Sequence, residues 1–171
     1  MDNYLTNDMN NIYEDRIKKA VTLFLNGYNC SQSVVVAFAD MYGIDEETAK
    51  RLSAGFGGGV GRMRMICGAV SGMVILIGLE EGQTDGDDKN GKANCYSVVQ
   101  KLVERSRKKN GSIICADLLD MKGCKVEKDN HVPEERNEKY YSTRPCAKSV
   151  ESAARIFAEY LCEKYSPKQN V

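Results

Sequence analysis

Histidine is nearly missing from this sequence: His131 is the only one. A His-rich zinc site, a two-His-one-carboxylate iron site and an H-E-x-x-H protease site therefore cannot be built from one chain. Net charge is missing as well, because 24 Lys and Arg balance 24 Asp and Glu. No global basic field gathers nucleic acid, and no nucleic-acid partner is expected. There is no long apolar run. The longest, from Ile66 to Leu79, is broken by Gly68, Ser71, Gly72 and Gly78. It falls short of the roughly 20 residues that a bilayer requires, so no membrane span is expected. The opening MDNYLTNDMNNIYEDR has no charged-then-apolar secretion pattern. A reducing cytoplasm is the expected compartment, where disulfide staples are not the rule. No C-x-x-C occurs, so neither a zinc ribbon nor a ferredoxin-type run is indicated.

What is present is a globular composition, 42% hydrophobic and 28% charged, over 171 residues. This suits one domain across 1–171, with a core over about 11–165 and a tail from 166 expected to fray. Apolar residues at Ile12, Ile17, Ala20, Val21, Phe24 and Leu25 predict a helix over Asn11–Asn26, stopped by Gly27. A second is expected from Cys30 to Tyr42, capped by Asn29 and ended by Gly43, although Val34–Val36 also fits a strand. Asp45 caps a third, to about Phe56. After the glycine loop Gly57–Gly61, a fourth helix over Ile66–Glu80 is apolar on nearly every side and should be central. A polar loop over Gly82–Gly91 leads to a fifth helix, Lys92–Lys109, and Ser112 caps a short one to Met121. Gly123–Ser142 reads as irregular, and Thr143 caps a last helix from Pro145. The expectation is an all-α, single-domain bundle of about six to seven helices.

Seven cysteines are the feature to explain. Cys30, Cys67, Cys115 and Cys146 each fall in the predicted first turn of a helix, where partial positive charge favours a thiolate. Arg62 and Arg64 stand close to Cys67 in sequence, which makes Cys67 the favoured attacking thiolate. Cys95, Cys124 and Cys162 fall elsewhere. A free cysteine is equally at home as a small buried hydrophobe. The loop Gly55–Gly61 lacks the G-K-[ST] ending of a phosphate-binding loop and has no G-x-G-x-x-G frame. Its expected role is a tight turn that brings backbone N–H groups of Gly58 and Gly59, with the charge of Arg62, to the Cys67 site. Asp85–Asp88 reads as a solvated turn rather than a calcium loop, His131 as a surface residue, and Tyr140 and Tyr141 as packing.

At these residues the chain resembles a family known by its cysteine pattern, C_GCAxxG_C_C. The resemblance rests on Asn29-Cys30-Ser31-Gln32, on the glycine loop leading into Cys67-Gly68-Ala69-Val70-Ser71-Gly72, and on Cys115 and Cys146. The order of elements matches from about Asp15 to Leu161. The resemblance implies redox activity carried by Cys30, Cys67, Cys115 and Cys146, and leaves Cys95, Cys124 and Cys162 outside the motif. It supplies no substrate. A related segment in multi-centre redox proteins implies a metal role. Three functions stand open. The first is thiol–disulfide redox chemistry or electron transfer by an oxidoreductase. The second is an iron–sulfur cluster or zinc held by the same four cysteines. The third is a non-catalytic helical module that packs on a redox or transport protein. The sequence is compatible with an oligomer.

Overall fold

In a computed structural model, the backbone is described for residues 2–166 and the side chains for residues 13–166. The expected fraying beyond 166 lies outside the described residues. Among these the fold is all-α, with eight helices and no strand. They are α1 (Asp2–Leu25), α2 (Cys30–Val36), α3 (Glu46–Ser53), α4 (Gly68–Glu81), α5 (Lys89–Asn110), α6 (Cys115–Asp120), α7 (Glu138–Thr143) and α8 (Cys146–Tyr165).

Helix α4 is apolar all round and packs against α2, α5 and α8, while α1 lies along α8 and α2. Small residues set the α2–α4 distance. A Cβ on Gly72 would stand 2.9 Å from the Ser31 carbonyl oxygen and 3.1 Å from Val34 Cβ. The core is closed by Phe38 and Phe157, edge to face at 5.2 Å. Arg105 pairs with Glu163 at 2.8 and 2.9 Å and ties α5 to α8.

The start of α2 is strongly specified. Asn29 Oδ1 accepts from the N–H groups of Ser31 and Gln32, and Gln32 Oε1 accepts from the Asn29 N–H, closing a capping box. The helix stops earlier than the sequence suggests. Arg16 donates to the Ala37 carbonyl at 2.8 Å, and the chain turns through a 3-10 segment, Ala39–Tyr42, into left-handed Gly43. The β-branched run Val34–Val36 is helical, because all three side chains are buried in the core.

Other expectations need correction. Helix α1 begins at Asp2, well before the apolar periodicity starts. Helix α5 starts at Lys89, because Asp88 caps it by accepting from the Gly91 N–H at 2.8 Å. Ile114, not Ser112, is the residue before α6, although the Ser112 hydroxyl accepts from the Ile114 N–H at 3.0 Å. Thr143 does not cap α8. It ends α7, with its hydroxyl donating to the Lys139 carbonyl, and Pro145 precedes α8. The segment 123–142 is not wholly irregular, since it contains the start of α7. That helix is too short to show a period. Tertiary contacts hold it: the Tyr141 hydroxyl donates to the Leu25 carbonyl, and Arg136 to those of Phe24 and Tyr28. These donors satisfy carbonyls at the end of α1.

Candidate functional site

Four helix starts converge on one chamber. Cys30, Cys115 and Cys146 are the first residues of α2, α6 and α8, and Cys67 immediately precedes α4. All four line a cavity of about 250 Å3. Cys67 and Cys115 are brought together by a short antiparallel bridge between Ile66 and Ile114. The Cys67 N–H donates to the Ile113 carbonyl at 2.8 Å and the Cys115 N–H to the Met65 carbonyl at 2.6 Å. Cys95, Cys124 and Cys162 are not among the residues lining the chamber.

The glycine loop forms one wall. From Gly58 to Arg62 every residue has positive φ, and Arg64 does too. Val60, Arg62 and Arg64 adopt this left-handed backbone without being glycine, at a cost of roughly 1–2 kcal/mol each. Backbone bonds from Gly61 to Gly55, Arg62 to Gly57, Arg64 to Gly58 and Met65 to Gly59 hold the strained turn. Gly59 is forced by space as well as by its φ of +73°, since an added Cβ would meet Cys115 Cβ at 2.6 Å. A Cβ on Gly68 would stand 2.8 Å from the Phe56 carbonyl oxygen and 3.2 Å from Cys30 Cβ. Gly58 and Gly59 line the chamber, and among the described residues their N–H groups reach no backbone carbonyl.

The other wall is arginine. Arg62, Arg64, Arg136 and Arg144 all line the cavity, and Glu134 is the one carboxylate among the lining residues. Glu134 bonds Arg144 at 2.5 and 2.6 Å and stands 3.5 Å from Arg62 Nη2 and 3.6 Å from Arg64 Nη2. The last two nitrogens are buried and, among the described residues, have no hydrogen-bond partner. Tyr140 lies between two guanidiniums, with Arg136 and Arg144 over its ring at 4.7 and 4.6 Å. His131 sits exposed at the rim.

The electrostatics overturn the expectation for Cys67. Burial pushes its thiol up to about 12, outweighing the lowering effect of the Val70 and Ala69 N–H groups at the start of α4, and Cys67 makes no side-chain capping hydrogen bond there. Arg64 serves a different cysteine, donating toward Cys115 Sγ at 3.9 Å. Burial still holds the Cys115 thiol above its ordinary value, with Arg64 partly offsetting it. Cys146 is the low one, at about 7. A hydrogen bond from Cys30 is the main cause; burial opposes it, and the charges of Arg144, Arg136 and Arg64 add to the lowering. The same hydrogen bond and full burial hold Cys30 as a thiol.

Of the residues predicted for the site, Cys30, Cys67, Cys115, Cys146, Gly58, Gly59 and Arg62 all line the chamber. Sequence reasoning missed Arg136, Arg144 and Glu134. Arg144 had a usable signal, standing two residues before Cys146 at the start of a helix. Arg136 and Glu134 had none, because a polar stretch without period gives no direction to a side chain. For iron–sulfur or zinc, the four thiols share one space. Among the described residues, however, no group of three or more His, Cys, Asp and Glu side chains is placed to hold a metal ion. The donors as arranged do not fit such a group.

Fold and site together define a class: an all-α protein whose cysteines are gathered from four helix starts into one arginine-walled chamber. The chain matches the family described as "Putative redox-active protein (C_GCAxxG_C_C)" over residues 28–160, and it belongs to that family. It is also similar to an uncharacterized protein of Archaeoglobus fulgidus, 30% identical over 112 residues, which is 59% of this chain and 72% of that protein. No solved structure matches. Among the described residues, no helix is long and apolar enough to cross a membrane.

Proposed function

We propose that the protein is a dithiol–disulfide oxidoreductase in which Cys146 is the attacking thiolate and Cys30 the resolving thiol. The observation that carries this reading is that the starts of α2 and α8 bring Cys30 and Cys146 into one chamber walled by guanidiniums, where the Cys146 thiol is lowered to about 7. A thiolate is the nucleophile in disulfide exchange, and the best attacking thiol titrates near the ambient pH. Cys146 attacks one sulfur of a disulfide, the other sulfur leaves as a thiol, and a mixed disulfide remains. Cys30 loses its proton and attacks Cys146 Sγ, releasing the second thiol. The protein gives up two electrons and the substrate disulfide takes them. A reducing dithiol, small or carried by a partner protein, restores the starting state. Cys67 and Cys115 line the site as buried thiols, close to neutral in charge.

The test is oxidation of the anaerobically purified, reduced protein in thiol–disulfide buffers, with peptide mapping of the product. One Cys30–Cys146 disulfide, formed reversibly with two electrons, is expected. Persistent free thiols at both positions would overturn the reading, as would stoichiometric iron with acid-labile sulfide, or zinc, on the four cysteines.

A further inference from the structure

The arginines are more than the thiolate needs. Arg64 is 5% exposed, yet among the described residues its buried Nη2 has no hydrogen-bond partner. Arg62 Nη2 is in the same position. Burying guanidinium nitrogens without acceptors is costly, and folded proteins rarely leave them so unless something else completes the site. The neighbouring contacts do not complete it. Arg64 Nε donates to the Glu127 carbonyl and Nη1 toward Cys115 Sγ, and Arg62 Nε donates to the Asn130 carbonyl, so both side chains are anchored with Nη2 left over. Glu134 accepts from Arg144 with both oxygens and makes only longer ion pairs, at 3.5 and 3.6 Å, with Nη2 of Arg62 and Arg64, so it neutralises part of their charge without a hydrogen bond to either. Beside them stand the N–H groups of Gly58 and Gly59, held by a strained left-handed turn. Guanidiniums and successive backbone N–H groups are the donors that bind oxyanions.

We infer that the chamber takes a small disulfide carrying a carboxylate or similar oxyanion, with the oxyanion on Arg62 and Arg64 and the S–S bond at Cys146. This rests on the proposed dithiol chemistry and names its substrate class. A cavity of about 250 Å3 admits a molecule of small-metabolite size. Glu134 then acts as a resident carboxylate that sets how strongly an incoming one is held. The reaction is the exchange already written: protein thiolate and thiol plus R–S–S–R give a protein disulfide, one RS− and one RSH.

Three disulfides of similar length separate charge from reactivity: 3,3′-dithiodipropionate (anionic), bis(2-hydroxyethyl) disulfide (neutral) and cystamine (cationic). Each is mixed with the reduced protein in single turnover at low and high salt. The anion should react fastest at low salt, by about tenfold or more over the neutral compound. That advantage should shrink at high salt and be lost in Arg64→Gln and Arg62→Gln. Suberate, which replaces the two sulfurs of the anion by methylenes, tests binding without chemistry by calorimetry. It should bind the wild type, bind Glu134→Gln more tightly and fail to bind Arg64→Gln. The Glu134→Gln gain cannot be mimicked by poor folding. Equal rates for all three disulfides, with no suberate binding, would overturn the oxyanion site while leaving the dithiol chemistry standing. Suberate binding with no disulfide reacting would overturn the dithiol reading and, with it, the substrate assigned here.

Discussion

Replacing Cys30 by alanine removes the hydrogen bond that is the main cause of the low Cys146 value. A fall from an ordinary 9.0 to about 7 corresponds to roughly 3 kcal/mol in favour of the thiolate. At pH 7 about half of Cys146 is then thiolate, against about 1% for an ordinary thiol. A more acidic thiol is a weaker nucleophile, and with a Brønsted coefficient of about 0.4–0.5 this fall costs nearly tenfold in intrinsic rate. The net advantage at pH 7 is therefore about fivefold. The three guanidiniums and partial burial oppose each other and remain in the variant. Cys30→Ala should thus carry the titration midpoint upward toward 9 and slow the reaction at pH 7 several-fold. Cys30→Ser keeps a donor and should retain most of the depression. The assay is alkylation of Cys146 by iodoacetamide across pH 5–10, followed on its own peptide by mass spectrometry. A wild-type midpoint at 8.5 or above, or one that Cys30→Ala leaves in place, would refute the assignment of Cys146 as the thiolate.

Cys67 loses its proton near 9.0 in the unfolded chain and at about 12 in the folded one. Between these values the native state holds the extra proton, so stability falls as pH rises above 9, by up to about 1.4 kcal/mol per pH unit from this thiol. Urea unfolding of the reduced protein at pH 8–11 should show the slope, and Cys67→Ala should flatten it. Gly59→Ala drives a Cβ into Cys115 and keeps a positive φ, so it should destabilise by about 3 kcal/mol or more. Gly61→Ala meets nothing within 4 Å and should lose only about 1–2 kcal/mol, and thermal unfolding separates the two. Asn29→Ala removes the acceptor for two N–H groups of α2 and the bond to the Ala54 carbonyl. It should cost about 1–2 kcal/mol in urea midpoint measurements and leave the Cys146 titration in place.

Much of the fold is legible along the chain because its determinants are local. Asn29 and Asp45 cap α2 and α3, Gly43 and Gly111 take left-handed conformations where helical segments end, and the apolar stretch from Gly68 predicts a central helix. The motif cysteines were equally visible, since each sits beside a cap, a glycine loop or a proline. Chemistry at those cysteines was not visible. Helix starts promised thiolates at all four, yet burial reverses that for Cys67 and Cys115, and the neighbouring Cys146 together with burial reverses it for Cys30; both are properties of the packed molecule. Arg64, three residues from the glycine loop and three from Cys67, turns to Cys115 because the left-handed backbone and the Ile66–Ile114 bridge direct it there. The pairing of Cys30 with Cys146 in one chamber joins residues far apart in the chain, and Arg136, Arg144 and Glu134 arrive on a segment without periodicity. Sequence alone marked the caps Asn29 and Asp45, and it placed Cys30, Cys67, Cys115 and Cys146 at or beside helix starts. Tertiary structure decided which of them carries charge, because the free energy of a thiolate depends on the desolvation and the donors that distant segments impose on it.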